Sequence, residues 1–190
     1  MLSYVMRHAW LSVTDPKHGA VMVLKLEPSR RTLIEMAALV IVLNVLVSQA
    51  FAIMIPSPAS GSLLAALATP VPSLIVHAIL LVVITFATFG IGRMLGGEGT
   101  LDETFLLLIW LQFIMLVANL LQIVVAILWT PLGALAALVS FVLFLWLFVN
   151  FVLVLHGFRS ILKVLLASVA SFFALIFLIT ASISLFGLIL

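Results

Sequence analysis

Long apolar runs alternate along the chain with short polar breaks. A helix rises about 1.5 Å per residue, so a hydrocarbon layer of about 30 Å takes about 20 apolar residues to cross. Five runs reach that length, over about residues 33–55, 73–95, 104–128, 132–155 and 164–190. None has a Lys, Arg or Asp in its interior; Glu35 opens the first and Arg93 lies near the end of the second. In lipid an unpaired strand edge finds no hydrogen-bond partner, so each run is predicted to be a helix. Pro56, Pro58, Gly61, Pro70 and Pro72 break the chain between spans one and two, and Gly96, Gly97 and Gly99 between two and three. Thr130, Pro131 and Gly133 make a tight turn between three and four, and His156 to Lys163 separates four from five. The predicted class is an all-α membrane protein. It comprises a five-helix transmembrane domain over residues 32–190 and an N-terminal cytoplasmic arm over residues 1–31.

The arm has a helical pattern of its own. Leu2, Val5, Met6, Ala9, Trp10 and Val13 recur at helical spacing, with Arg7, His8 and Ser12 opposite, as in an amphipathic helix lying on a membrane surface. Asp15-Pro16 reads as an N-cap followed by Pro at the first helical position, opening a second short helix over Lys17 to Leu26. Pro28 and Ser29 end it. The arm carries acidic groups and no apolar run ahead of span one, so it does not read as a cleavable signal. Thr32-Leu33-Ile34-Glu35 and Thr100-Leu101-Asp102-Glu103 both have the capping-box pattern, and their likeness raises a parallel repeat of spans one–two and three–four. Leu63 to Ala68, too short to span, is expected to dip into the outer interface.

Composition narrows the function classes. Of 190 residues, 66% are apolar and 7% charged, against about 45–50% and about 25% in a soluble domain. So few charges cannot cover a soluble surface, which excludes an ordinary cytoplasmic enzyme, a nucleic-acid binder and a disordered chain. The absence of cysteine excludes disulfides, thiolate metal sites and cysteine nucleophiles. All eight basic residues fall in three places: Arg7, Lys17, Lys25, Arg30 and Arg31 in the arm, Arg93 in the second loop, and Arg159 and Lys163 in the fourth. With five spans these places share one side, and the positive-inside rule puts the N-terminus in the cytoplasm and the C-terminus in the periplasm.

Few residues carry candidate chemistry. Gln112, Asn119 and Gln122 of span three fall on one helical stripe. Such a stripe either lines a conduit or substrate site, or hydrogen-bonds to Asn44, Ser48 or Gln49, Thr85 or Thr88, or Asn150 on neighbouring spans. His77 is the only histidine inside a span, and no two histidines share a depth at which they would sandwich a haem. Gly96-Gly97-Glu98-Gly99-Thr100 lacks the Lys-Ser/Thr ending of a phosphate loop and reads as a flexible turn and N-cap. Arg93, Glu98, Asp102, Glu103, Arg159 and Lys163 form a candidate cytoplasmic contact patch. Trp10 with Arg7, Lys17, Lys25, Arg30 and Arg31 forms a candidate membrane-surface arm. No catalytic set, metal-ligand spacing or cofactor motif stands out, so a non-enzymatic protein without cofactors is expected.

Trp10 with Asp15-Pro16, then Gly96-Gly97-Glu98-Gly99-Thr100 with Glu103, then His156-Gly157-Phe158-Arg159, together resemble the bacterial members of the Yip1 family. The resemblance covers nearly the whole chain. It implies five tightly spaced spans behind a short cytoplasmic arm, in a bacterial inner membrane. Eukaryotic relatives bind Rab GTPases through a long acidic N-terminus with an Asp-Leu-Tyr-Gly-Pro motif. That segment has no counterpart here, and no Rab-contacting residue is carried over. The function expected is an adaptor or scaffold that binds the bilayer and other membrane proteins, or itself as a homo-oligomer. The alternative is a small oligomeric transporter, channel or lipid-handling protein that uses the stripe of span three.

Overall fold

The computed structural model describes residues 2–54 and 69–187. Among them the chain forms α1 (Leu2–Thr14), α2 (Pro16–Leu24), α3 (Arg30–Met54), α4 (Pro70–Met94), α5 (Leu101–Leu128), α6 (Thr130–Leu155) and α7 (Ile161–Gly187). Four helices, α3 to α6, are long and apolar enough to cross a membrane. α7 is a helix of 27 residues whose described apolar run, Ile161–Ser171, is shorter than a span. The segment expected to dip into the outer interface lies outside the described residues.

Local chemistry sets the helix ends. Asp15 accepts a hydrogen bond from the His18 N–H and Pro16 stands in the first turn, so α2 opens as predicted. Thr100 and Glu103 form the full capping box at α5: the Thr100 N–H donates to Glu103 Oε2 at 2.8 Å, and the Glu103 N–H donates to Thr100 Oγ1 at 3.3 Å. The expected box at Thr32 does not form. Ser29 takes that place, accepting from the Thr32 N–H at 3.2 Å, and Glu35 turns aside to pair with Arg31 at 2.9 Å. A hydroxyl three residues before an N–H is the standard capping arrangement, and Ser29 stands there one turn earlier. Pro70 and Pro72 do not break the chain before span two but lie in the first turn of α4, where a missing N–H costs nothing. Thr130, Pro131 and Gly133 likewise belong to the start of α6, leaving Trp129 alone, in extended conformation, as the turn.

Helix α5 is the centre of the packing, in contact with α2, α3, α4 and α6. Leu106 to Leu111 are all buried, so this stretch of α5 is covered on every side. Leu33, Ala37, Val40 and Ile41 of α3 and Leu147, Phe151 and Leu155 of α6 complete this core. Past the middle of the bundle burial thins: Leu120, Leu121, Val124 and Ile127 of α5 and Leu135, Leu138 and Val139 of α6 are exposed. α7 packs on α6, with Val164 buried among Val149, Val152 and Leu153.

The fourth side of α5 is covered by the arm. α1 and α2 form a helical hairpin that lies against α5 and α6. A Cβ at Gly19 would come within 2.6 Å of Ser12 Cα, so glycine permits the two short helices to meet. The apolar face expected to lie on the membrane turns in part into the bundle, with Ala9 buried and Val5 and Val13 packed against the core, and its edges differ from the expectation. Ser12, assigned above to the polar face, is 0% exposed, and Trp10, assigned to the apolar face, is 70% exposed. The reason is a hydrogen bond: the Trp110 indole Nε1–H donates to Ser12 Oγ at 3.0 Å, and the Ser12 hydroxyl donates to the His8 carbonyl at 2.9 Å. Trp110 stands nine residues into α5, about 13 Å along its axis, so the hairpin is seated well inside the bundle.

Replacing Ser12 with Ala strands the buried Trp110 N–H, and an unsatisfied buried donor costs about 1–3 kcal/mol. Ser12→Ala is expected to lower the thermal unfolding midpoint in lipid nanodiscs, whereas Ser3→Ala, at an exposed site, leaves it unchanged. Equal midpoints for the two variants would show that this bond does not hold the hairpin.

Candidate functional site

Two groups of polar residues stand out, one at each end of the bundle. The alternation of α3 to α6 brings every basic residue of the sequence to one end. There Arg30 Nε lies 3.0 Å from Asp102 Oδ2 and ties the starts of α3 and α5. Both groups are exposed, so the pair contributes at most about 1 kcal/mol. Arg93 donates to the Gly97 carbonyl at 3.4 Å, and Glu103 is taken up by its capping box. Of the predicted contact patch, then, Asp102 and Glu103 have internal work. Glu98, Arg159 and Lys163 are exposed and, among the described residues, have no ion-pair partner. Of the predicted arm cations, Arg7, Lys17 and Lys25 are exposed, while Arg30 and Arg31 belong to the first turn of α3. Acidic partners there offset the poor placement of cations at a helix N-terminus.

His156, read in the sequence as part of the break after span four and of the His156-Gly157-Phe158-Arg159 motif, has a packing role at this end. It caps the C-terminus of α6, is 2% exposed, and neither ring nitrogen has a hydrogen-bond partner. The ring fills a gap left by two glycines. A Cβ on Gly92 of α4 or on Gly97 of the following turn would overlap its atoms. Phe158 covers it from the other side, ring centres 5.5 Å apart. The imidazole therefore locks the end of α4 to the end of α6. Burial pushes its pKa down and Arg93 adds to this, while the Thr88 carbonyl, near the ring but outside hydrogen-bond geometry, and Glu103 oppose it. The motif pair Gly96-Gly97 and His156-Gly157 is thus one packing unit, a relation with no signal in the spacing of the two segments.

The second group lies in the half of the bundle remote from the charges. An open-sided cleft of about 190 Å³ runs between α3, α4 and α5, and among the described residues Asn44, Val47, Ser48, Phe51, His77, Asn119, Gln122 and Ile123 line it. Two members of the predicted stripe, Asn119 and Gln122, enter this cleft, and Gln112 does not. Gln112 stands about 16 Å from the start of α5, Asn119 about 27 Å and Gln122 about 32 Å. The hydrogen bonds expected between spans do not form here. Asn44 donates to the Val40 carbonyl at 2.9 Å and Ser48 to the Val45 carbonyl at 2.8 Å, each along its own helix. Thr85 and Asn150 likewise bond to Leu81 and Trp146 of their own helices. His77 Nδ1 lies 2.8 Å from the Ser73 carbonyl, which only accepts, so that nitrogen is the donor and Nε2 is left over. Among the described residues the side-chain amides of Asn119 and Gln122 make no hydrogen bond. Sequence reasoning singled out these residues separately; which of them face one another depends on how α3, α4 and α5 are rotated, which spacing within one helix does not fix.

Among the described residues no group of three or more His, Asp or Glu side chains is placed to hold a metal ion. Gly90 of α4 has open space around its Cβ position, whereas Gly92, two residues on, is pressed against His156. Gly90→Ala is expected to be neutral or stabilising, by up to about 1 kcal/mol. Gly92→Ala must displace the imidazole and is expected to destabilise by about 1–3 kcal/mol. Equal effects in thermal unfolding would remove the lock. The lowered pKa adds a pH dependence. The unfolded chain binds the His156 proton more readily, so stability is full above about pH 6.5 and falls as the pH drops toward the folded-state value. The slope is at most about 1.4 kcal/mol per pH unit. His156→Gln is expected to flatten that acid limb.

No curated protein and no solved structure matches this chain. The family model of the Yip1 domain matches residues 10–183, taking in the docked arm from Trp10, the Gly-rich turn, His156 and most of α7, and on that match the chain belongs to the Yip1 domain family.

Proposed function

We propose that this Yip1 domain protein is a non-enzymatic adaptor or scaffold of the bacterial cytoplasmic membrane, with five spans, the N-terminus inside and the C-terminus in the periplasm. α7, at 27 residues, is long enough for the fifth crossing, and no basic residue follows Lys163, so its far end carries no charge that would hold it in the cytoplasm. The observation that carries the adaptor reading is the rim at the charged end. Met94 is 87% exposed and Leu95 more than half exposed, beside Arg93 and Glu98. Across the same end stand Leu162, Arg159 and Lys163, also exposed. A mixed apolar and charged rim suits a protein partner, with charge giving specificity and the apolar groups the contact area. The partner is another membrane protein or a second copy of this chain. Trp10, Arg7, Lys17 and Lys25, all exposed on the hairpin, face anionic lipid, at about 1 kcal/mol per basic residue.

A second reading, a small oligomeric transporter, channel or lipid-handling protein, is favoured by the polar cleft. Between the cleft and the charged end the core is filled by Leu107, Ile109, Leu111, Leu147 and Phe151, so within one chain the cleft is a cup. A cup suits lipid handling better than conduction.

Because the hairpin is part of the packed core, deleting it would unfold the bundle and could not isolate its role. Surface variants are the sharper test. Arg159→Glu with Lys163→Glu is expected to reduce, at least tenfold, any protein that copurifies stoichiometrically from the native membrane in lipid-preserving conditions, with thermal stability unchanged. A preparation that yields the chain alone, or a partner indifferent to these charges, would sink the adaptor reading.

A further inference from the structure

The cleft between α3, α4 and α5 is polar, and lipid surrounds it. In hydrocarbon a polar group without a partner costs several kcal/mol, so the cleft needs an occupant that hydrogen-bonds. Its lining defines what that occupant must offer. Asn44 and Ser48 have spent donors on their own helices, leaving Asn44 Oδ1 and the Ser48 oxygen as acceptors. His77 keeps Nε2, an acceptor in the neutral ring whose Nδ1–H is already used. Asn119 and Gln122 bring a carbonyl and an NH₂ each, unused among the described residues. Asn44 also keeps its second N–H, so donors and acceptors both remain, which calls for ligand groups that donate and accept at once, as hydroxyls do. Among the described lining residues none is Lys or Arg, and an anion buried there would lack a permanent counter-charge, which disfavours phosphate. The volume, about 190 Å³, exceeds the roughly 150 Å³ that holds a benzene molecule, enough for a group of about six to eight heavy atoms.

Depth adds to this. Asn119 and Gln122 lie about 6 and 11 Å beyond the midpoint of the α5 axis, on the side away from the charges. Leu46, Ile75 and Leu120, on the same three helices, are exposed and apolar. A polar group entering here from the bilayer would leave its acyl chains against such side chains.

We infer that this cleft binds an uncharged, hydroxyl-bearing glycerol group. Its sources are the glycerol of a neutral lipid such as diacylglycerol, or free glycerol. The inference rests on the lipid-handling reading above and narrows it to one ligand chemistry.

The test uses the full chain in phosphatidylcholine vesicles with a photoactivatable diacylglycerol, and maps the labelled peptides by mass spectrometry. Label is expected in the peptides that hold residues 44–51, 73–81 or 119–123. Asn119→Leu with Gln122→Leu is expected to reduce it at least tenfold, and the milder Ser48→Ala about threefold, while Gln112→Leu, on the same helix but outside the cleft, leaves it unchanged. Competition by unlabelled diacylglycerol and not by free glycerol supports the lipid source; competition by free glycerol as well supports the same chemistry with the soluble source. If phosphatidic acid competes as well as diacylglycerol, the uncharged-glycerol assignment is overturned while lipid handling survives. Label confined to other parts of the chain, or unaffected by Ser48→Ala and by the double variant, overturns the assignment and the lipid-handling reading with it; the copurification test of the adaptor is untouched by either result.

Discussion

The hydrogen bond from Trp110 to Ser12 holds together two parts of the chain that apolar packing alone would leave loosely associated. Lipid tails are as apolar as leucine, so hydrophobic burial provides little drive for one helix to join another in a bilayer; close packing and internal polar bonds must do it. A tryptophan indole seated deep in α5 needs an acceptor, and the Ser12 hydroxyl supplies one. With α1 so placed, α2 covers α5 and α6, and the stretch Leu106–Leu111 of α5 is enclosed on every side. The arm is therefore a structural part of the bundle as well as its contact with the surface.

Small residues make this closure possible. Gly19 and Ala20 bring α2 to α1 and the core, Ala9 and Ala37 keep α1 and α3 thin where they are buried, and Gly92 and Gly97 leave the gap that His156 fills. The imidazole is a costly filler, because neither nitrogen is satisfied. Its burial is tolerable only as the neutral ring, which is the origin of the lowered pKa. Close backbone approach on two sides and an aromatic lid on the third outweigh the lost hydrogen bonds by dispersion contacts.

How far the sequence revealed this follows from the range over which each interaction acts. Helix positions were legible, because twenty apolar residues and a Thr-x-x-Glu cap are local facts; the capping box at Thr100 stands as read. The box at Thr32 was misread because two local options competed: Ser29 offered its hydroxyl one turn earlier and Arg31 drew Glu35 away. Val5, Ala9 and Val13 of α1 face the core, but Trp10 and Ser12 were misread for a different reason. Amphipathicity ranks Trp10 above Ser12 for burial, and that ranking assumes that the neighbour is lipid. The true neighbour is a tryptophan N–H some hundred positions on, and a donor in a dry core reverses the preference. The polar stripe was half legible. Its angular arithmetic on α5 is sound, yet Gln112 and the pair Asn119–Gln122 lie at different depths, and only the pair meets α3 and α4 across an open space.

The two ends of the bundle are unequal for one reason. The hairpin adds two helices to the half that holds the charges and none to the other half, so the bundle is closely packed at the charged end, while beyond the middle α3 and α4 open from α5 and Gly133 keeps α6 against Ala126. The packed end has spent its internal polar groups: Glu103 in a cap, Asp102 on Arg30, Ser12 on Trp110. What it still presents is an outer rim, which is the geometry of a docking platform. The open end has spent few of its polar groups on other helices, and those that remain converge on one cleft. Partner binding at the rim and a polar ligand in the cleft are thus compatible in one molecule, and α5 connects them, with its capped start in the rim and Asn119 and Gln122 in the cleft. Any influence of one end on the other would have to pass through the stretch Leu106–Leu111, where that helix has no free side. A helix so enclosed has little room to shift unless the hairpin moves with it, and the Ser12–Trp110 bond lies within that stretch.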